Sequence, residues 1–580
     1  MVPRMRIAVV ALGVVSCAVS PSLPRCELGA ACGPTDADWR ALAAALTGKL
    51  VRPRAPLAPC ADAADGDACA AALHATQNPW ALEDDPGATQ STGWRGAWTA
   101  APSPYAVAAE RAEDVAAAVR FARAHRLRMA VKGTGHDYLG RSTDPGALLV
   151  WTHAMRAIEV VDAFVPSGCG GAPTPAVHVG AGARWGEVYR EVTVKHRRYV
   201  QGGGCQTVGA AGGFLQGGGF GSYSNRYGTA AAGLLEAEVV TADGRVRVVN
   251  ACRDADLFWA LRGGGGGTFG IVTRATLRTH PLPSFHGAVN AEVHARSDEA
   301  FTALLARFVR HFDERLRGSA WGEQVQVKPG NKLVVHMTFV GLDTAAAKEA
   351  WRPFVEWLDA HKEAYTTSQV QVIGAPGETL WDAAMLDRVA PGLLSHDDRS
   401  GHDEVWWSSN QGEVFTHWAS YTSRWVPQDR FTAARADETA RLLFAASRSW
   451  PIELHFNKGQ ANAADEALLR DRQTAMNPAV YDAVALAIIA SNAPGVPGVP
   501  GHAPDDAREA DDARLVATAM SLLRRAWPRS GAYPNEADYF EPEWQRSFWG
   551  DAYGRLLAIK RRYDPDGLFG CHHCVGSDAR

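Results

Sequence analysis

Val131-Lys-Gly-Thr-Gly-His136-Asp-Tyr-Leu-Gly140-Arg-Ser-Thr143 is the stretch on which the reading of this chain turns. A histidine among closely spaced glycines sits where backbone can approach a bulky ligand, because residues without a Cβ leave room and tolerate positive φ. Alone, such a loop is equally an ordinary turn that happens to hold a histidine. A second cluster, Gly202-Gly-Gly-Cys205-Gln-Thr-Val-Gly209, runs into Gly217-Gly-Gly-Phe-Gly221, and the two have to be read together.

Upstream of His136, Val115, Val119 and Ala122 follow helical spacing between Arg111 and His125, and Met129-Ala-Val131 is a short apolar run. The local order is therefore helix, strand, glycine loop. Downstream, Ala147 to Trp151 and Val177 to Val179 read as strands and Gly186 to Val194 as a short helix. Leu234 to Val249 is interrupted by Ala242-Asp-Gly244, a strong hairpin signal. Asp256 to Arg262 reads as helix, five glycines follow at 263 to 267, and Phe269 to His280 resumes as a strand.

Gly265-Gly-Gly267-Thr-Phe-Gly270 satisfies the dinucleotide fingerprint literally. That fingerprint must follow a strand and open a helix, and here the order is reversed, so a Rossmann NAD site is not expected. No Gly-Lys-Ser/Thr phosphate loop occurs. What remains is a set of glycine-rich turns whose N–H groups can together cradle a pyrophosphate and flank a flat ring.

The chain has 580 residues, 46% of them hydrophobic, enough for two or more cores. A net charge of -4 provides no concentrated basic face, so neither nucleic acid nor an anionic membrane is an expected partner. Arg4 and Arg6, the apolar run Ile7 to Val19, and Pro21 and Pro24 have the layout of a secretory signal, with a run too short for a comfortable bilayer span. An N-terminal strand is the structural alternative, and Val14-Val-Ser-Cys17 also fits a lipoprotein cleavage box. Cys571-His-His-Cys574 lacks a second ligand pair at zinc-finger spacing, so disulfide or free thiols are expected there and no metal site.

Gly133-Thr-Gly135-His136-Asp-Tyr-Leu-Gly140, Gly204-Cys205-Gln-Thr207-Val208-Gly209, Gly217-Gly218-Gly219-Phe-Gly221, Tyr227-Gly228, Asp256 to Gly270-Ile271-Val272 and Ile559-Lys-Arg-Arg-Tyr-Asp-Pro-Asp-Gly-Leu-Phe569 resemble the FAD-linked oxidases of the vanillyl-alcohol oxidase type. Within them the berberine-bridge-enzyme-like branch is nearest in pattern, close to secreted fungal proteins of the isoamyl alcohol oxidase kind. The resemblance implies an α+β fold: a PCMH-type FAD-binding domain of two α+β subdomains, with an inserted substrate domain of antiparallel sheet covered by helices. It implies a signal at 1–20, a cysteine-containing cap at 21–104, the FAD domain at 105–282, the substrate domain at 283–530 and a return to the FAD domain at 531–580. It further implies a flavin joined through its 8α carbon to His136 and through C6 to Cys205, with the motif glycines, Thr207, Val208, Tyr227, Ile271, Val272 and Asn535 around it. Imidazole nitrogen and thiolate are suitable nucleophiles for an electron-poor ring. With Cys17 removed and Cys205 joined to flavin, eight of the ten cysteines remain, an even number suited to disulfides.

The expected reaction is removal of hydride from an alcohol or related CH–OH or CH–NH carbon, electrons passing to dioxygen to give peroxide. A dehydrogenase using another acceptor and a non-catalytic flavin-binding protein are the alternatives. In Trp450-Pro-Ile-Glu453-Leu-His455-Phe-Asn457, alternation puts Glu453, His455 and Asn457 on one strand face, either a solvent edge or a cleft lining. Tyr421 lies in an aromatic stretch that is either core or pocket wall. Tyr421, Glu453 and His455 are the expected catalytic residues, and the base among them is unassigned.

Overall fold

The computed structural model describes residues 25–579 except 27, 29, 64 and 65. The expected export signal and the Cys17 box lie outside the described residues. Among the described residues no helix is long and apolar enough to cross a membrane.

A four-stranded sheet is ordered Lys49–Val51, Tyr105–Ala108, Ala147–Trp151, Arg128–Lys132, the last three strands parallel. Ala147–Trp151 is an unbroken apolar run, buried at every position, as a parallel strand covered on both faces requires. The helix Ala112–Ala124 covers it, and Val115, Ala118, Val119 and Ala122, the positions at helical spacing, are fully buried.

A second sheet, antiparallel throughout, is ordered Val246–Asn250, Leu234–Val240, Ile271–Pro281, Thr174–Gly180, Ile158–Phe164, with Arg198–Val200 also paired to Ile271–Pro281. Its Asp-Gly hairpin forms as expected, with Gly244 at φ +73°. The glycine run 263–267 lies between the helix Ala255–Ala260 and the strand Ile271–Pro281, the order that argued against a Rossmann site.

The third sheet has ten strands. Nine run Tyr365–Thr367, Phe285–Ala295, Lys332–Val340, Trp321–Lys328, Ile452–His455, Ala483–Pro494, Thr416–Pro427, Ser91–Trp94, Trp98–Thr99, and Gln371–Pro376 also pairs with Phe285–Ala295. The helices Asp298–His311, Thr344–Ala360, Ala436–Ser447 and Asp506–Ala526 cover one face, with Phe301, Trp351, Phe354, Leu443, Val516 and Met520 in the shared core. On the other face Trp418, Tyr421, Trp425 and Ile488 pack with Leu139, Phe220 and Tyr533 from the glycine-rich part of the chain. Thr416–Pro427 is buried along nearly its whole length because both of its faces are covered. Within the segment read as a cap, Ser91–Trp94 joins this sheet parallel to Thr416–Trp418.

Disulfides join Cys26 to Cys32, Cys60 to Cys69, Cys169 to Cys252 and Cys571 to Cys574, and Cys205 is free. These are the eight cysteines left after Cys17 and Cys205 are set aside.

Candidate active site

His136 sits in the loop that leaves the strand Arg128–Lys132. Its Nε2 lies 2.8 Å from Glu83 Oε1 and 2.9 Å from Thr207 Oγ1. No partner for its Nδ1 is found among the described residues. Glu83 ends the one-turn helix Pro79–Glu83, whose N-cap, Asn78, accepts hydrogen bonds from the backbone of Trp80 and Ala81 at 3.0 and 3.2 Å. The Glu83 side chain is 1% exposed, its Oε2 has no hydrogen-bond partner, and Arg184 Nη1 stands 3.8 Å away. Burial raises the Glu83 pKa, with the hydrogen bond to His136 and the Arg184 charge opposing the rise.

Cys205 Sγ is 3.5 Å from the same Thr207 Oγ1. Burial pushes its thiol up to about 11. The Thr207 hydroxyl is thus in contact with both nucleophiles proposed by the sequence. Thr134 Oγ1, between Gly133 and Gly135, accepts a hydrogen bond from Gly209 N–H at 3.1 Å and ties the two glycine loops together.

The glycines fall into two groups. A Cβ at Gly204, Gly213 or Gly267 would meet nothing within 4 Å, so these three face open space. Elsewhere glycine is required by protein packing: a Cβ on Gly140 would come within 2.6 Å of Trp98, on Gly217 within 2.4 Å of Asn535, and on Gly221 within 1.8 Å of Gly202 O. Gly135, Gly218, Gly219 and Gly228 have φ of +88°, +135°, +77° and +87°, which a side chain rarely adopts. Asn535 Nδ2 donates to Gly213 O at 2.9 Å and to Tyr533 Oη at 3.0 Å, which brings the C-terminal segment to the glycine cluster. Together, a free imidazole nitrogen, a free thiol and glycine walls beside open space suit a large flat cofactor held by both side chains.

Comparison with known proteins agrees with this geometry. Residues 103–250 match the model of the FAD binding domain family, and residues 532–576 match the berberine and berberine-like family. The chain is 30% identical to the FAD-linked oxidoreductase ZEB1 of Gibberella zeae, across 98% of this chain and 96% of that one. It is likewise 30% identical to the VAO-type flavoprotein oxidase VAO615 of Thermothelomyces thermophilus, across 96% and 93%. The chain belongs to the FAD-linked oxidoreductases. The crystal structure of VAO-type flavoprotein MtVAO615 from Myceliophthora thermophila superposes with a TM-score of 0.77 at 27% identity, covering 95% of this chain and 97% of that one. A glucooligosaccharide oxidase from Acremonium strictum, described as carrying 6-S-cysteinyl, 8α-N1-histidyl FAD, shares the fold with a TM-score of 0.64 at 21% identity, covering 90% and 99%. The fold is therefore the expected α+β, PCMH-type FAD-binding fold.

In this oxidoreductase a polar cluster gathers around Tyr138, two residues beyond His136. Tyr138 stacks on Tyr421 with ring centroids 4.8 Å apart, and its hydroxyl donates to Glu413 Oε2 at 3.1 Å. Glu413 is an exposed residue, yet desolvation by the protein around it, reinforced by the nearby carboxylates Glu453 and Glu536, raises its pKa despite the Tyr138 hydrogen bond. Burial also lifts the Tyr421 and Tyr138 phenols well above their ordinary value, so both stay protonated. Glu453 differs: burial works against its charge, but the His455 hydrogen bond and nearby positive charges prevail, and its pKa is lowered. His455 Nε2 is 3.3 Å from Glu453 Oε2, Gln326 Nε2 donates to Glu453 Oε1 at 3.0 Å, and Lys458 Nζ is 2.6 Å from Glu536.

Of the other expected site residues, Tyr227 packs with its ring tilted against Tyr199 and His280 at 4.2 and 4.9 Å between centroids, and Gly228 is packed beside Asp471. Ile271 and Val272 are buried in two different apolar cores, while Gly270 is glycine because a Cβ would sit 2.7 Å from Val240 O. Glu83, Glu413 and Tyr138 were not singled out by the sequence reading. Tyr138 stands in the opening motif, two residues after His136. Glu83 and Glu413 occupy stretches without a motif, and no local signal marks them. Asp397, His402 and Glu404 bring potential metal-ligand atoms within 4.8 Å of one another, but Arg399 already holds Asp397 through two nitrogens.

Proposed function

We propose that this FAD-linked oxidoreductase is an exported oxidase that holds FAD through both His136 and Cys205 and takes hydride from a CH–OH or related carbon, dioxygen serving as acceptor and leaving as peroxide. The observation that carries the reading is the Thr207 hydroxyl, 2.9 Å from His136 Nε2 and 3.5 Å from Cys205 Sγ, which sets the two nucleophiles side by side against open space. Disulfides between the eight other described cysteines support an oxidising compartment.

Bound FAD supplies a two-electron acceptor. The chain's own work is to orient the substrate carbon and to accept the proton that leaves with the hydride. Glu413 is the best-placed acceptor, since a carboxylate with a raised pKa is the stronger base and the Tyr138 O–H holds it in place. Tyr421 walls the same site, while Glu453 and His455, paired to each other, orient polar groups of the substrate. The substrate-facing part is the portion of the ten-stranded sheet contributed by 283–530, and the C-terminal return at 531–580 closes the site through Asn535.

Acid precipitation of the purified protein tests the attachment. Yellow colour is expected in the pellet, with flavin mass on the His136 and Cys205 peptides, and colour wholly in the supernatant refutes it. Peroxide formed under air with a reducing substrate separates the oxidase from a dehydrogenase, whose flavin stays reduced in aerated buffer.

A further inference from the structure

Glu83 has no part in the reaction proposed above, yet it is a buried carboxylate aimed at the tether. One oxygen accepts from His136 Nε2–H at 2.8 Å, and the other is buried and without a hydrogen-bond partner. The Thr207 hydroxyl lies 2.9 Å from the same His136 Nε2, its presence helps oppose the rise of the Glu83 pKa, and Cys205 Sγ lies 3.5 Å from that hydroxyl. A continuous chain of polar contacts therefore leads from each nucleophile to Glu83: directly from the imidazole, and from the thiol through Thr207 and then His136 Nε2. Holding the proton on Nε2 leaves Nδ1 as the nitrogen with a free lone pair.

We propose that Glu83 is the shared proton acceptor for both flavin attachments, with Thr207 as the relay from Cys205. The inference rests on the covalent reading given above. At His136, one C–H bond of the flavin 8α-methyl and the imidazole N–H break, and a C–N bond forms. Two electrons and two protons are released, one proton passing through Glu83 to solvent, and dioxygen takes up both electrons and both protons as hydrogen peroxide. At Cys205 the ring C6–H and the thiol S–H break and a C–S bond forms, with the thiol proton passing through Thr207 and His136 Nε2 to Glu83 and the same balance against dioxygen. The cysteine needs such help more than the histidine does, because its thiol is held protonated at neutral pH. The buried Arg184, 3.8 Å from the carboxylate and stacked over Trp80, keeps Glu83 from being an uncompensated charge.

The test follows flavin mass on each peptide in full-length protein purified at fixed times after induction. In Glu83→Gln, whose amide oxygen can still accept from Nε2–H, FAD is expected to be retained without covalent attachment, and His136 modification to slow about a hundredfold, the ordinary worth of a positioned base. In Thr207→Val, His136 is expected to be modified at the native rate while Cys205 modification slows, and Thr207→Ser restores it. Native rates at both peptides in Glu83→Gln overturn the inference. If that variant fails to retain FAD at all, the Thr207 pair decides: equal Cys205 modification in Thr207→Val and native protein overturns it. Absence of flavin from both peptides of the native protein refutes the covalent reading itself, and the inference falls with it.

Discussion

At the scale of single residues, the most informative group is Glu413. As the proton acceptor it works only when ionised, so kcat/KM is expected to fall as pH drops through its pKa, which partial desolvation and the neighbouring carboxylates Glu453 and Glu536 hold above the ordinary carboxylate value. Glu413→Gln should slow flavin reduction by substrate about a hundredfold and flatten that acid limb. An unchanged limb in the variant would assign the base elsewhere, with Glu453 next in line. His136 and Cys205 were legible in the sequence because covalent chemistry needs particular residue types between glycines. Glu413 was not, because a carboxylate acquires its role from its neighbours, here Tyr138, which lies 275 positions away in the chain. The glycine motifs also conceal a division of labour: Gly204 and Gly213 face open space, whereas Gly217 and Gly221 make room for neighbouring protein atoms. Nothing in a run of glycines distinguishes the two.

At the scale of elements, the hairpins and amphipathic helices were readable because each is determined by local periodicity and turn chemistry. Ser297, which precedes two acidic residues, caps the helix Asp298–His311 by accepting from Ala300 N–H. The one-turn helix Pro79–Glu83 was not readable, since five residues carry no period and its form depends on Asn78 at its start. Asn78 also donates to Asp397 Oδ1 at 2.8 Å, joining this helix to a distant loop. Asn78→Ala should lower stability by about 1 kcal/mol through the lost cap. It should also slow flavin attachment at His136, because the helix presents Glu83. Chemical denaturation with peptide mass analysis checks both effects, and a loss of stability without slower attachment would separate the helix from the tether.

At the scale of the whole molecule, acid sensitivity follows from histidines enclosed in their neutral form. His311 is fully buried between Trp351 and Phe354, neither ring nitrogen has a hydrogen-bond partner, and burial, with Arg307 and Arg315 nearby, pushes its pKa down to about 3. Burial likewise lowers His280 and His286 to about 4. The unfolded chain takes up these protons below about 6.5 while the folded chain does not, so stability is lost as pH falls from there toward 4. His311→Leu should raise Tm relative to the native protein more at pH 5 than at pH 8, and an equal shift at both would show that the ring's charge plays no part. The pairing of Ser91–Trp94 with Thr416–Trp418 bears on a different matter, the order of assembly. The strand made early in synthesis can pair at once with Trp98–Thr99, but its other edge has no partner until more than three hundred further residues have been added, and closing so long a loop is slow. A nascent chain that already holds His136, Cys205 and Glu83 still has this edge unpaired, so a segment synthesised early is seated in the large sheet late.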